Sequence, residues 1–475
     1  MMKVLFAIDP SIAHLYPMVP LAWALQNAGH EVRLASFGGF ADRIAETGLT
    51  PVQLGDEEWA ARVSDDALEP NGPEQAQQYA DVLGLTADER EYWYLFYQYL
   101  LTPISDYLRV DRPEPHALIR FAQDWQPDLV IWDLTQAAGA IAARVSGAAS
   151  ARLVFAWDPT GWSLDRLAAR PDELTAAGLD PNPLATVVGP LAEHYGVELD
   201  HELLVGQWTM DTAPPGLSLP TTTRKVPVRY VPYNGAAPMP EWLHAPSSRP
   251  RICLSLGESY RRFIRGDFNR TPMLLEALAE LDVEVVATLN EVQLDGAVPP
   301  PNVRLVEYLP LNQILPTCAA VIHHGGLGTF QAAVAANLPQ LVCDTLESIM
   351  LRFEEAEPEE PGAERDDTGV YRSGVEYGVR GPEEQEKEPV RWVMPAKKLE
   401  ATPVSDYVIS RGAGVRLNHQ AQTVAELRES IRAVLTEPSY RQGAQAVHDV
   451  WRALPAPADV VPVLETMTAD VRRTR

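Results

Sequence analysis

The sequence predicts an α/β protein built as two doubly wound, Rossmann-like domains facing a cleft. Three observations carry that expectation. Strand–helix–strand patterns occur in two separate series, one near the start of the chain and one after residue 250. A stretch rich in proline and polar residues, 211–250, lies between them. At 475 residues the chain exceeds what one ordinary core supports. The expected boundaries are 1–210, a linker 211–250, a second domain 251–450 and a terminal helix 451–475.

The first series opens with Lys3-Val4-Leu5-Phe6-Ala7-Ile8, a short apolar strand. A loop carrying Asp9, Pro10 and His14 follows, then a helix running to Gly29 and a strand from His30 to Ala35. A strand, a helix and a second strand in so short a span require a parallel sheet. Residues 57–122 read as helical and aromatic-rich, with Trp93, Tyr94, Phe96, Tyr97 and Tyr99 clustered. Such a cluster is a packed layer or the lining of an apolar pocket. Leu129-Val130-Ile131-Trp132 is a buried strand ending at Asp133, followed by a helix over 137–145 and a strand over 151–156.

The second series begins at Arg251-Ile252-Cys253-Leu254-Ser255-Leu256-Gly257. It continues through a helix over 273–281 and strands over 283–289 and 303–308. Then comes Val321-Ile322-His323-His324-Gly325-Gly326-Leu327-Gly328-Thr329. Here an apolar strand delivers two histidines and a glycine-rich turn to the start of a helix. A helix opening on glycines leaves backbone N–H groups free and aims its positive end at whatever lies there, which suits a diphosphate. The glycine spacing differs from the G-x-G-x-x-G dinucleotide pattern, and no Lys-Ser/Thr ending of the P-loop kind is present.

Between 351 and 398 the composition shifts to Glu, Pro, Gly and Arg. With few apolar residues to bury, this segment is expected to be largely a mobile insertion, with a lid over the cleft as the sharper alternative.

Composition narrows the class further. Hydrophobic residues make up 46% and charged residues 22%, the balance of a water-exposed globular protein. A formal net charge of −26 disfavours nucleic-acid partners and anionic membrane surfaces. Cys253, Cys318 and Cys343 lie in apolar runs without metal-ligand spacing, as buried free thiols would. With no signal peptide and no membrane-length apolar run, the expected location is cytoplasmic and stable membrane insertion is not expected.

With these residues in view, the chain resembles the GT-B glycosyltransferases of glycosyltransferase family 1. More narrowly, it is similar to bacterial enzymes that attach deoxysugars to macrolide and related polyketide antibiotics. The resemblance runs along nearly the whole chain apart from the acidic insertion. It rests on the 321–329 run, on Arg229-Tyr230-Val231-Pro232-Tyr233-Asn234-Gly235, and on Cys253-Leu254-Ser255-Leu256-Gly257. Pro339-Gln340-Leu341, Gly412-Ala413-Gly414-Val415, Met18-Val19-Pro20-Leu21-Ala22 and Gly29-His30-Glu31-Val32 add to it.

What the resemblance implies is an inverting transfer from a thymidine- or uridine-diphospho-sugar to a hydroxyl of a hydrophobic polyketide. It implies no metal and no cofactor beyond the nucleotide-sugar co-substrate. His14, with Pro17 and Met18, matches the family's His-x-x-Pro-Met pattern for the general base, and Asp133 matches its carboxylate partner. Asp9 is a rival partner that is also placed to cap the first helix. On the donor side the implied contacts are Ser255, Gly257, His324, Gly325, Gly326, Gly328 and Thr329, with Tyr308 stacking on the base. Two positions depart from the pattern. Asn337 stands where glycine is usual before Pro339-Gln340, although Asn also tolerates the left-handed conformation. Glu400 stands where a sugar-binding Asp is usual, with Glu347 as the alternative.

Some relatives need a helper protein, and the aromatic helical region would be its docking surface here. Two other readings remain: a catalytically degenerate nucleotide-binding homologue acting as a partner, and a sugar-nucleotide epimerase on the same scaffold.

Overall fold

The structure is a computed structural model that describes residues 1–55, 72–155, 157–257, 270–294, 296–344, 349–355, 375–378, 393–396 and 401–474. The chain divides into two compact units whose main boundary falls between Tyr230 and Val231.

The N-terminal unit is built on a seven-stranded parallel sheet of order β3-β2-β1-β4-β5-β6-β7. Its strands are β1 (Lys3–Ala7), β2 (Glu31–Phe37), β3 (Thr50–Leu54), β4 (Leu129–Asp133), β5 (Ala149–Val154), β6 (Trp208–Asp211) and β7 (Lys225–Pro227). Every residue of β4 and β5 is buried, as expected of a parallel sheet covered on both faces. The sequence places 211–250 wholly in the linker. In the structure its early part supplies the edge strand β7, because Val226 and Val228 bury against the sheet.

Helix α1 (Ile12–Asn27) connects β1 to β2, and it begins one turn earlier than the sequence suggests. Ser11 is its cap, the side chain accepting from Ala13 N at 3.3 Å. A layer of helices follows: α2 (Pro73–Val82), α3 (Ala87–Tyr94), a π-helical stretch Leu95–Leu100 and α4 (Leu101–Tyr107). Thr86 and Glu89 form a reciprocal capping box at the start of α3. Trp93, Phe96 and Tyr97 are buried; Trp93 and Tyr97 pack with Tyr79 and Phe96 packs with Trp93, so the aromatic cluster is largely a packed core. Helices α5 (Pro113–Trp125) and α6 (Ala138–Ser146) flank β4 in sequence.

The C-terminal unit carries a six-stranded parallel sheet of order β10-β9-β8-β11-β12-β16. Its strands are β8 (Arg251–Ser255), β9 (Glu284–Thr288), β10 (Val303–Val306), β11 (Ala320–His323), β12 (Gln340–Cys343) and β16 (Gly414–Leu417). Alternation along each strand feeds two cores. Ile252, Leu254, Val285 and Ile322 pack on one face, with α7 (Arg270–Ala279) and the later helix Val424–Thr436. Cys253, Val286 and Val321 pack on the other with Ala332 and Ala333 of α8 (Leu327–Ala335). All three cysteines are free, and burial pushes the Cys253 thiol well above its ordinary range.

Most of the acidic insertion, and with it the expectation of a mobile segment or lid, lies outside the described residues. Strands β13 (Ile349–Glu355), β14 (Val375–Gly378) and β15 (Val393–Ala396) form a three-stranded antiparallel sheet of order β14-β13-β15. Ile349, Phe353 and Val393 give these short runs the β-branched and aromatic character that the surrounding Glu and Pro obscure in the composition.

Helix α9 (Ala401–Ser410) then leads back to β16. The last helix, α10 (Pro457–Thr474), returns to the N-terminal unit. There His30 Nε2 lies 3.2 Å from Glu465, Arg472 pairs with Asp128, and Arg229 N donates to Pro455 O at 2.7 Å. No helix among the described residues is long and apolar enough to cross a membrane.

Candidate active site

Each sheet reverses its strand order once, and each reversal carries a group of residues to which the sequence points. In the N-terminal unit the switch lies between β1 and β4, which pair in register with Ala7 opposite Trp132. The carboxyl ends of neighbouring parallel strands open into a crevice at such a point. The chain leaving β1 carries His14, and β4 ends at Asp133. Although 119 residues apart, His14 Nδ1 and Asp133 Oδ2 are 2.5 Å from each other.

His14 lies in the first turn of α1 rather than on the preceding loop, because Ser11 caps the helix so early. Its side chain is 26% exposed, whereas that of Asp133 is fully buried. The imidazole also packs edge-on against Phe155, with ring centroids 5.5 Å apart. Nδ1 is committed to the carboxylate, which fixes the ring's orientation.

Asp133 is itself held: Thr135 N donates to its Oδ1 at 2.9 Å and the Thr135 hydroxyl lies 2.9 Å from the same oxygen. Thr135 is not among the residues to which the sequence points, although Asp-x-Thr is the spacing of a turn in which an aspartate bonds the chain two residues on. Asp9 neither caps α1 nor partners His14. It stands behind the pair, its Oδ2 3.4 Å from the Thr135 hydroxyl.

In the C-terminal unit the switch lies between β8 and β11, paired with Ser255 opposite His323. The two histidines divide their tasks. His323 is fully buried; its Nε2 bonds Gln340 Oε1 at 2.9 Å, and its Nδ1 accepts from Gly325 N at 3.1 Å. It braces the turn. Burial lowers its pKa to about 4.

His324 turns the other way, between two glycines. A Cβ on Gly257 would lie 2.2 Å from its Cε1, and one on Gly326 would lie 2.2 Å from its Nε2. Only glycine leaves room for the ring at either position. Burial, then the neighbouring His323 and Arg270, lowers the His324 pKa to about 3, against a hydrogen bond from the ring to the Ser255 backbone that raises it. At neutral pH His324 is therefore an uncharged hydrogen-bonding group.

Helix α8 begins immediately after, with Gly326 at its N-cap and no side chain capping it. Its first turn contains Gly328 and a buried Thr329. Ser255, Gly257, His324, Gly325, Gly326, Gly328 and Thr329 thus converge at one strand switch and one helix start. A bound diphosphate would meet backbone N–H groups and a neutral imidazole there.

Support comes from residues the sequence does not indicate. Gln293 Nε2 donates to Gly257 O at 3.0 Å, and the Thr271 hydroxyl donates to Gln293 O at 2.6 Å. Arg270, buried at the start of α7, brings a positive charge close enough to act on His324.

Tyr308 follows β10 in the chain. It is 46% exposed, and its hydroxyl donates to the carbonyl of Asn234, within the Arg229–Gly235 run. Asn337 adopts φ 57°, the left-handed conformation that glycine would otherwise supply. Glu400 and Glu347 lie outside the described residues. Among the described residues no group of three or more His, Cys, Asp or Glu could hold a metal ion.

Comparison with known proteins agrees with this layout. Residues 23–257 match the model for the erythromycin biosynthesis protein CIII-like N-terminal domain, and 272–363 match its C-terminal domain. The aclacinomycin-T 2-deoxy-L-fucose transferase of Streptomyces galilaeus is 37% identical, covering 100% of this chain and 98% of its own length. The 10-deoxymethynolide desosaminyltransferase of Streptomyces venezuelae is 34% identical over 99% of this chain and 98% of its own. Among solved structures, the glycosyltransferase VinC in complex with dTDP is 29% identical, with 100% of both chains covered and a TM-score of 0.71. Two parallel sheets, matched over the full length by such relatives, make the chain a GT-B glycosyltransferase belonging to the erythromycin biosynthesis protein CIII-like family.

Proposed function

We propose that the chain moves a deoxysugar, with inversion, from a thymidine-diphosphate sugar to a hydroxyl of a hydrophobic polyketide aglycone. The relatives named above transfer 2-deoxy-L-fucose and desosamine, and the dTDP-bound neighbour supports a thymidine nucleotide. The observation that carries the catalytic reading is the 2.5 Å contact between His14 and buried Asp133.

In this reading His14 Nε2 takes the acceptor's hydroxyl proton as the oxygen attacks the anomeric carbon. The new C–O bond forms on the face opposite the leaving group, and the bond from the anomeric carbon to the diphosphate oxygen breaks. Asp133 stabilises the imidazolium that results. Charge grows on the departing diphosphate, where the α8 N–H groups, Thr329 and His324 are already aimed. Donors in place before the charge develops favour the transition state over the ground state. Tyr308 offers an exposed ring for the nucleotide base, and Glu400 is assigned to the sugar hydroxyls. The reaction uses no metal or cofactor besides the nucleotide-sugar. It takes place in the cytoplasm, and an auxiliary protein would dock on the aromatic helical layer of the N-terminal unit.

A purely partner-binding role is disfavoured by the intact histidine–carboxylate pair. The test is a set of thymidine- and uridine-diphosphate sugars offered with several polyketide aglycones and scored by mass spectrometry. A glycosylated product is expected with the wild type. His14→Ala should lower the rate about 10²–10⁴-fold, the usual worth of a positioned base. Full activity in that variant would overturn the assignment.

A further inference from the structure

A third carboxyl group stands beside the histidine–aspartate pair, and the reaction as described leaves it without a task. The Thr135 hydroxyl sits between two carboxyl groups, 2.9 Å from Asp133 Oδ1 and 3.4 Å from Asp9 Oδ2. A hydroxyl carries a single proton and can donate to only one of them at a time. When Asp9 is neutral it can supply its own proton to the Thr135 oxygen, leaving the hydroxyl to serve Asp133. When Asp9 is ionised it competes for that proton and puts a second negative charge near His14. The charge on Asp9 therefore decides how Asp133 is solvated and how strongly the site favours an imidazolium.

We propose that Asp9 is a positioning residue that sets the basicity of His14, acting through the Thr135 hydroxyl and Asp133. The proposal rests on the reading of His14 as the base. Burial and the nearby Asp133 raise the Asp9 pKa above its ordinary value, while His14 and hydrogen bonds from Thr135 and Gln136 pull it down. Among the described residues, Tyr107 at the end of α4 also faces Asp9. Glu114 and Arg112 act on that phenol in turn, and burial raises its pKa. Asp9 thus shares the Thr135 hydroxyl with Asp133 and, like Asp133, acts on His14.

The sign follows from electrostatics. A carboxylate near an imidazole stabilises its protonated form, so removing that charge lets His14 shed its proton at lower pH. Asp9→Asn keeps the size and hydrogen-bonding capacity but cannot ionise. The acid limb of the kcat/KM profile is expected to move about half to one unit toward lower pH in this variant. Asp9→Glu, which keeps the charge, should leave the limb near its wild-type position. Circular dichroism of each variant establishes that it is folded. An unmoved limb in folded Asp9→Asn, or an equal shift in Asp9→Glu, overturns the proposal. His14→Ala separates the two readings. If the limb vanishes there but stays put in Asp9→Asn, only the role of Asp9 fails. If it survives in His14→Ala, the base assignment fails first.

Discussion

Each unit places a histidine beside its strand switch, His14 after β1 and His324 after β11, and the two environments are opposite. His14, beside the β1–β4 switch, is 26% exposed and bonded to a buried carboxylate. His324, beside the β8–β11 switch, is buried between two glycines, with Arg270 for a charged neighbour and a pKa lowered to about 3. A carboxylate and access to solvent suit an imidazole that must gain and lose a proton. Burial next to a cation suits one that must stay neutral and offer a hydrogen bond to an anion. The side chain is the same; its surroundings assign the chemistry.

That contrast can be broken at its strongest point first. Asp133→Asn keeps the shape of the pair but removes the charge that stabilises the His14 imidazolium. Its kcat should fall by at least about 10²-fold while nucleoside-diphosphate affinity stays near wild type. Parallel losses in both would mean that Asp133 is a general structural support rather than the partner of a base.

The donor side is probed next by Gly326→Ala, whose methyl group would occupy the space of the His324 ring. Displacing the imidazole should weaken dTDP binding roughly 10-fold or more, equivalent to about 1.4 kcal/mol or greater, as read by calorimetry. Unchanged affinity would remove His324 from the phosphate contacts.

The smallest effect sharpens the electrostatic side of the comparison. For His323 and His324 the folded pKa values lie near 4 and 3, below the ordinary 6.5. The unfolded chain therefore takes up protons at these positions before the folded chain does. Their contribution to stability is fully present above pH 6.5 and is lost as the pH falls from there toward 4 and below. Between pH 7 and 5.5 each should cost on the order of 1 kcal/mol, visible as a falling thermal midpoint. His324→Gln should flatten part of that slope, and an unchanged slope would mean that His324 titrates normally.

Much of the architecture is legible in the order of residues. The paired strand–helix–strand series points to two parallel sheets. The histidines and glycines of 321–329 point to a phosphate-facing helix start, because each is a local pattern within one strand–turn–helix unit. Asn337 is readable as able to take the left-handed conformation, because it stands where the resemblance puts glycine. The insertion is less legible. Its average composition hides three short strands whose pairing partners lie as far apart as Ile349 and Ala396. The start of α1 is also obscured, because Ser11 rather than Asp9 provides the cap.

By itself, the sequence determined which residue types were available and roughly where each strand and helix runs, since hydrophobic period and turn chemistry are local properties. Only the tertiary structure decided which of them meet. Register across β1 and β4 brought Asp133 to His14, and register across β8 and β11 brought Ser255 and Gly257 to His324. It also decided which histidine bonds a carboxylate and which is buried against two glycines. Proton affinity depends on neighbours that are distant in sequence, and in these two parallel sheets the strand order chose those neighbours.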